Sequence, residues 1–183
     1  MFKIAIIVGS LRKDSINLKL AKALIKLGQN KFEAQVLPIH ELPLFNQDLE
    51  ADFPAAATQL KQAIQSADGV LIFTPEYNRS IPGPLKNAID WASRPYGANA
   101  FAQKPVGVIG ASGGGIATAC AQHSLRPVLN YLDTILMGQP EAYIQFTKDF
   151  IDDSGNISNE SSLKFLTNYV DKFCEWVARS TGE

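Results

Sequence analysis

Three short segments of this 183-residue chain consist almost entirely of apolar residues: 3–10, 69–74 and 105–111. Their Ile, Val, Leu and Phe residues follow one another nearly without interruption, rather than alternating with polar ones. Continuous apolar runs of this length suit strands that are buried on both faces, which is the environment of a parallel sheet. These segments therefore restrict the chain to a fold in which helices cover both sides of a parallel sheet.

The stretches between these strands carry the remaining elements of such a fold. Residues 32–39 form a predicted second strand, and 134–138 with 142–146 form an interrupted last one. Apolar residues recur at helical spacing in the stretches 17–29, 54–67, 84–93, 115–132 and 159–179. Strand and helix thus alternate five times, which predicts a doubly wound α/β sandwich around a five-stranded parallel sheet. We expect residues 1–183 to form one domain, because a second one would have too little chain for its own core.

Charge and composition narrow the class of protein. Lys and Arg number 17 and Asp and Glu 18, so the formal net charge is −1. A chain so balanced has no overall field that would favour nucleic acid or an anionic membrane surface. The apolar runs are too short for a membrane span or a secretory signal. The two cysteines make no metal-ligand cluster and favour a reducing compartment, so we expect a cytoplasmic protein without a metal site.

The loop after the first strand, 9–17, collects groups that bind anions. Around the start of the predicted first helix lie two hydroxyls, a guanidinium and an amide, from Ser10, Ser15, Arg12 and Asn17. A helix N-terminus attracts an anion through its free amides, and Arg can meet a phosphate with two parallel donors. The alternative is an ordinary polar turn in which Ser15 only caps the helix. The position of the loop favours the anion site.

Two better-known phosphate loops do not match this segment. In a P-loop, glycine and lysine would stand where this chain has Asp14 and Ser15. A dinucleotide fingerprint needs three glycines in the first turn, and only Gly9 is present. With so few glycines the backbone has less freedom to approach a pyrophosphate. The loop therefore favours the terminal monophosphate of a mononucleotide.

Two further loops follow the third and fourth strands. Residues 74–91 contain three prolines and a glycine that stiffen the loop, and Glu76, Tyr77 and Asn78 follow the strand end directly. Residues 110–115 include three consecutive glycines, which permit positive φ and let backbone amides approach a ligand. The alternative for each loop is a turn that only ends a strand.

These three loops are expected to meet at one edge of the sheet. In the strand order 2-1-3-4-5, the order of connection reverses between strands 1 and 3, and ligands bind at that switch point. One loop offers hydrogen-bond donors for a phosphate, and the other two offer rigid polar backbone beside apolar side chains. A planar heterocycle with a phosphate tail fits this layout, and FMN is the cofactor that we infer.

A thiol site and a histidine base are also considered. Cys120 and Arg126 have the spacing of a thiol phosphatase or arsenate reductase, but they lie in the helical pattern 116–132, where the amides serve the helix. His40 and His123 are expected to be surface or interface residues. We assign no catalytic side chain, because a flavin itself carries the hydride.

The chain resembles the NADPH-dependent FMN reductase family, and in particular bacterial chromate and quinone reductases. The resemblance runs from the first strand to about Glu141 and rests on 9–17, on 42–48, and above all on 75–91, with its Pro-Glu-Tyr-Asn loop. It implies a flavodoxin-like three-layer sandwich, bound FMN, and dimers or tetramers.

The resemblance also implies a set of cofactor-binding residues. By position, the FMN phosphate would be held by Ser10, Arg12, Ser15 and Asn17, with Ile16 between the last two. The isoalloxazine and ribityl chain would lie beside Pro75, Glu76, Tyr77 and Asn78. Amides at the polar edge of the ring would come from Ser112, Gly113 and Gly114.

The activity expected from this pattern is that of a flavoenzyme. NADPH or NADH would supply a hydride, and two electrons would pass to a quinone, an azo compound, a chromate-like oxyanion or free flavin. The alternative is a non-enzymatic electron carrier like flavodoxin, which the near-neutral charge and Arg12 disfavour. Trp91, Tyr96 and Phe101 flank a long loop and are expected to be exposed, which predicts a homo-oligomer whose interface borders the flavin site.

Overall fold

The computed structural model describes residues 1–152 and 154–182. Its strands are β1 (Phe2–Val8), β2 (Phe32–Val36), β3 (Gly69–Phe73), β4 (Pro105–Ser112), β5 (Ile135–Leu136) and β6 (Ala142–Gln145). They form one sheet in the order β2-β1-β3-β4-β5, with β6 also paired to β4, and all of these pairs are parallel. The predicted strand order and parallel pairing are confirmed.

β5 and β6 share the last position of the sheet. β5 pairs with the start of β4 and β6 pairs with its end. Pro140 lies between them and has no N–H to donate to a ladder. The predicted interrupted last strand is thus confirmed.

Five α-helices cover the sheet. They are α1 (Ile16–Leu27), α2 (Ala55–Ser66), α3 (Gly83–Ala92), α4 (Ala119–Tyr131) and α5 (Glu160–Thr181). Within the described part of the chain, no helix combines the length and the apolar character needed to cross a membrane.

The apolar strands separate two cores, because successive residues of a strand point to opposite faces. On one side, Ile4 and Ile6 of β1 belong to a buried cluster with residues of α1 and α5. On the other side, Ala5 and Ile7 belong to a cluster with residues of α2, α3 and α4. This arrangement is the predicted three-layer sandwich, and it explains why β1, β3 and β4 needed continuous apolar runs.

Helix α4 begins later than the apolar pattern predicts. The pattern places a helix from residue 115, whereas the structure has turns as far as Thr118 and begins α4 at Ala119. Ala117 has a φ of +52°, which no α-helix accommodates. The consequence is a longer irregular segment between β4 and α4 at the edge of the sheet.

Two of the three aromatic residues expected at the surface are instead in the core. Trp91 and Phe101 are fully buried, and only Tyr96 is exposed. The Trp91 indole N–H donates to the Pro43 carbonyl at 2.7 Å, and the Phe45 ring packs edge-on against the indole at 5.0 Å. The loop after β2 thus covers α3, and the interface prediction loses two of its three anchors.

Gly110 allows close approach at the carboxyl end of β4. A Cβ at this position would overlap the Thr74 carbonyl oxygen and would lie 2.5 Å from Thr118 Oγ1. Any side chain here would push β3 and the start of α4 away from β4. The residue therefore helps to bring the loops after β3 and β4 together.

Candidate functional site

Two adjoining clefts lie at the carboxyl edge of the sheet. The first cleft, of about 200 Å³, is lined by Ser10, Arg12, Ser15, Ile16, Asn17, Pro75, Glu76, Tyr77, Ala111, Ser112 and Gly113. The second cleft, of about 340 Å³, is lined by Glu76, Asn78, Arg79, Ser112, Gly114, Gly115, Ile116 and Ala117. Glu76 and Ser112 belong to both, so the two clefts adjoin. Together they are in the size range of cofactor and substrate sites.

The loops after β1 and β3 touch at Gly9. Its N–H donates to the Phe73 carbonyl at 2.8 Å, which extends the β1–β3 pairing by one residue. A Cβ on Gly9 would meet Leu85, Pro75 and Pro82 at 3.1–3.2 Å. This tight packing joins the loop after β1 to the loop after β3 and closes one wall of the first cleft.

The N-terminus of α1 supplies hydrogen-bond donors to the first cleft. Ser15 caps the helix, and its Oγ accepts from the Leu18 N–H at 3.2 Å, so its own hydroxyl proton is still available to a ligand. The amides of Ile16 and Asn17 have no intrahelical partner, because they belong to the first turn. The exposed Arg12 adds a positive charge at the rim. Capping and anion binding, treated as alternatives in the sequence, are compatible uses of Ser15.

The Asn17 side chain connects α1 to β4. Its Nδ2 donates to the Ala111 carbonyl at 2.9 Å, and its Oδ1 accepts from the Ala111 N–H at 2.9 Å. The side chain is buried, and its amide pairs with the strand backbone as another strand would. Because these groups are engaged, what Asn17 offers to the cleft is its backbone N–H rather than its carboxamide. Its side chain fixes the loop after β1 against the end of β4.

The loop after β3 contains a tight hairpin. Tyr77 and Ser80 exchange two backbone hydrogen bonds of 3.0 Å, and Asn78 and Arg79 between them have φ values of +52° and +64°. Two consecutive positive φ values are the geometry of a type I′ turn. This turn places Tyr77 on the first cleft and Arg79 on the second.

The Glu76 carboxylate joins the β3 loop to the start of α4. One oxygen accepts from the Ala121 N–H at 3.0 Å, and the other lies 3.1 Å from Arg79 Nη1. The Glu76 side chain is only 7% exposed, so these partners compensate its charge where water does not. The negative charge also faces the positive end of the α4 dipole. Glu76 is thus a structural link as well as a lining residue.

The glycine loop is open rather than strained. Gly113, Gly114 and Gly115 do not have positive φ, although the sequence suggested that glycines stand here to permit it. The positive φ of this segment falls on Ala117 instead. A Cβ on any of the three glycines would meet no atom closer than 3.8 Å. What the glycines provide is space beside both clefts.

The thiol alternative finds no support in the geometry around Cys120. Cys120 lies in the first turn of α4, whereas the sequence pattern predicted a position farther inside the helix. The neighbouring amide, that of Ala121, is however taken by Glu76. Arg126 lies farther along the helix, donates to the Met137 carbonyl at 3.3 Å and lies 3.8 Å from Glu141. A thiolate at this position would have neither the arginine nor a ring of free amides.

Other candidate side chains lie away from the clefts. His40 is exposed and lies 3.7 Å from Glu41, and His123 stacks on Tyr143 with ring centroids 6.3 Å apart. Burial raises the pKa of the Cys174 thiol, which disfavours its reactive thiolate form. Among residues 1–152 and 154–182, no cluster of three His, Cys, Asp or Glu side chains could hold a metal ion.

The structure brings the predicted site residues to one place. All of them line the first cleft except Asn78 and Gly114, which line the second. Five lining residues were not predicted from the sequence: Ala111 in the first cleft, and Arg79, Gly115, Ile116 and Ala117 in the second. Arg79 follows the predicted Asn78 directly in a stiff loop, and this neighbourhood was a signal that could have found it.

A parallel doubly wound sheet with these loops at its switch point defines the class of flavodoxin-like proteins. The chain belongs to the NADPH-dependent FMN reductase family, whose model matches residues 2–149. The predicted fold class and family are confirmed.

Relatives and solved structures agree with this family. A 2-hydroxy-1,4-benzoquinone reductase of a Burkholderia species is 52% identical over 96% of each chain. A quinone reductase of Escherichia coli is 38% identical over 97% of this chain and 96% of its own. The structure of FerB, a flavoenzyme NAD(P)H:(acceptor) oxidoreductase from Paracoccus denitrificans, is 47% identical, covers 98% of this chain and 99% of its own, and gives a TM-score of 0.96.

The structural role of Asn17 can be tested without any flavin. Asn17→Asp removes the N–H donated to the Ala111 carbonyl and places a carboxylate oxygen against it, in a buried position. We expect apo-protein to lose about 1–3 kcal/mol of unfolding free energy, the range for a buried polar group left unsatisfied. Urea unfolding measures the loss, and Asn30→Asp in an exposed turn is the matched control. Equal stability of the two variants would contradict the link between α1 and β4.

Proposed function

We propose that this chain is an FMN-dependent NAD(P)H oxidoreductase that reduces quinones. The observation that carries the proposal is the first cleft, which lies at the switch point of the sheet. There the loop after β1 contributes hydrogen-bond donors for a phosphate, and the loops after β3 and β4 contribute open polar backbone. The family supplies the chemistry, and the names of the relatives supply the class of acceptor.

The residues of the first cleft and of its border with the second fit FMN. A terminal phosphate would be held by the hydroxyls of Ser10 and Ser15, the amides of Ile16 and Asn17, and the Arg12 guanidinium. The isoalloxazine and ribityl chain would lie along Pro75, Glu76, Tyr77 and Asn78. Backbone groups of Ser112, Gly113 and Gly114 would face the polar edge of the ring. The absence of a Cβ on the two glycines leaves room for a flat ring there.

Bound FMN would supply the redox chemistry, which is acceptance of a hydride from NAD(P)H and transfer of two electrons to an acceptor. The residues of this chain contribute position and electrostatics. Arg12 and the first turn of α1 anchor the negative end of the cofactor. The Asn17–Ala111 and Glu76–Ala121 hydrogen bonds hold the three loops at fixed separations. The two clefts are open to solvent, so one face of a bound flavin would stay accessible to two substrates in turn.

Steady-state turnover tests this function directly. Purified protein loaded with FMN should oxidise NADPH or NADH continuously when 1,4-benzoquinone is present, and apo-protein should not. Cys120→Ser serves as the control for the thiol alternative and should keep most of the turnover. An electron carrier would show no sustained oxidation of either nucleotide, and this result would refute the proposal.

Arg12 is expected to contribute to the affinity for FMN. Arg12→Ala should weaken binding by about 1.5–3 kcal/mol, the range for hydrogen bonds to charged groups, and by less at high salt. Titration of apo-protein with FMN measures the change, and Lys13→Ala is the matched control, since Lys13 is exposed in the same loop but does not line the cleft. A similar loss in both variants would mean that only the general charge of the loop matters.

We further infer that the chain forms a homo-oligomer in the cytoplasm. Leu44 is 85% exposed and Tyr96 is 88% exposed, and the segments that carry them touch, because the Arg94 guanidinium lies 5.6 Å from the centre of the Phe45 ring. Exposed apolar side chains on two touching segments favour contacts with another chain. Sedimentation velocity should show a species larger than the 19.9 kDa monomer, and Leu44→Asp should reduce it. A wild-type monomer at micromolar concentration would contradict the inference.

A further inference from the structure

Gln122 is a fully buried polar residue near the start of α4. It lies on the same face of the helix as Leu125 and Leu129, which belong to the apolar core beneath α4. A buried carboxamide is costly unless each of its polar atoms has a hydrogen-bond partner. Its Oε1 has no such partner among residues 1–152 and 154–182. The stability of the core alone therefore does not explain why a glutamine stands here.

The Gln122 side chain joins the N-terminus of α4 to β6. Its Nε2 donates to the Ala142 carbonyl at 2.8 Å and to Thr118 Oγ1 at 3.0 Å. Ala142 is the first residue of β6, and Thr118 is the N-cap residue of α4. Ala142 and Thr118 are also fully buried. One carboxamide thus holds the start of the helix against the strand at a place that water does not reach.

Thr118 extends this link to the end of β4. Its Oγ1 would lie 2.5 Å from a Cβ at Gly110, so the hydroxyl packs directly against the backbone of β4. Gly110 is also in register with Tyr143 of β6. The start of α4 is therefore seated on two neighbouring strands, and Gln122 supplies the hydrogen bonds that hold it there.

The segment 112–118, which connects β4 to α4, has little packing of its own. Its three glycines are exposed, and a Cβ on any of them would meet no atom closer than 3.8 Å. At one end, the Ser112 carbonyl accepts from the Phe146 N–H at 2.9 Å. At the other end, Thr118 is held by Gln122. A connection without side-chain packing takes its position from its ends, so Gln122 controls one of the two points that place this segment.

We propose that Gln122 is a positioning residue for the flavin ring and acts through Thr118 on the segment 112–118. The proposal rests on the proposed function, in which backbone groups of this segment face the polar edge of the ring. Gln122 lines neither cleft, so its effect on the cofactor is indirect. The phosphate would be held by the loop after β1, which Asn17 anchors separately. Loss of Gln122 should therefore impair the ring site and leave the phosphate site intact.

Titration of apo-protein with FMN and with riboflavin separates the two sites, because riboflavin has the same ring and no phosphate. Gln122→Met keeps a side chain of similar length and removes both hydrogen bonds. We expect the dissociation constants of both flavins to rise by the same factor, about 5- to 30-fold, the range for a buried hydrogen-bonded group. Thr118→Val removes only the hydroxyl and should act in the same direction by a smaller factor. It also serves as the test if Gln122→Met does not fold.

Tyr169→Phe is the matched control for stability. It also removes a buried hydrogen bond to the protein backbone, from the Tyr169 hydroxyl to the Val108 carbonyl at 2.9 Å, but at a residue that lines neither cleft. The two variants should lower the urea midpoint by similar amounts. In Tyr169→Phe, however, both flavin dissociation constants should stay within about twofold of wild type, as expected for independent sites.

Amide hydrogen exchange of apo-protein tests the positioning without any flavin. The Ala117 N–H donates to the Gly114 carbonyl at 2.9 Å, and the Ala119 N–H donates to the Ile116 carbonyl at 3.2 Å. In Gln122→Met these two amides should exchange about 5- to 30-fold faster, because the segment opens more readily. In Tyr169→Phe their rates should change only as much as those of the whole protein.

Three outcomes would overturn the proposal. Unchanged affinity for both flavins in Gln122→Met, with a lower urea midpoint, would make Gln122 a residue of the core only. A loss confined to FMN would place its effect at the phosphate. Equal exchange rates in Gln122→Met and Tyr169→Phe would show that the segment does not depend on Gln122. Failure of the wild-type protein to bind FMN would instead refute the proposed function, and the exchange rates would still decide whether Gln122 positions the segment.

Discussion

Burial of the sheet on both faces is the constraint on which the other features of this molecule depend. Because α1 and α5 cover one face and α2, α3 and α4 the other, polar groups can meet only at the ends of the strands. The crossover connections leave the loops after β1, β3 and β4 at the same edge, around the point where the strand order reverses. The clefts lie there because the central strands β3 and β4 are buried along the rest of their length.

Three contacts convert that edge into a defined site. Gly9 brings the loops after β1 and β3 together, Asn17 ties the start of α1 to the end of β4, and Glu76 ties the β3 loop to the start of α4. Each joins segments that are far apart in the chain. Asn17 and Glu76 stand among the predicted cofactor-binding residues, yet their side chains are engaged with the protein. Such residues were predicted from the sequence to bind the cofactor, whereas in the fold their side chains hold the loops of the site in position.

The sequence predicted the strands, the interrupted last strand and the three loops, since these depend on local patterns of apolar residues, prolines and glycines. It predicted Trp91 and Phe101 as exposed and started α4 too early. The indole is buried because the loop after β2, which has no periodic pattern, folds over α3 and accepts its N–H. The start of α4 depends on the backbone at Ala117, whose positive φ has no signature in its residue type.

The sequence by itself determined the class of fold and the place of the site, because continuous apolar strands allow one kind of sheet and a parallel sheet has one functional edge. It also determined which loops carry polar groups. Only the tertiary structure decided which of those groups face a ligand and which face the protein. The carboxamide of Asn17 and the carboxylate of Glu76 find partners 94 and 45 residues away, while Arg79 stays largely exposed. Hydrogen-bond partners so distant in the chain are chosen by packing, and no local pattern encodes them.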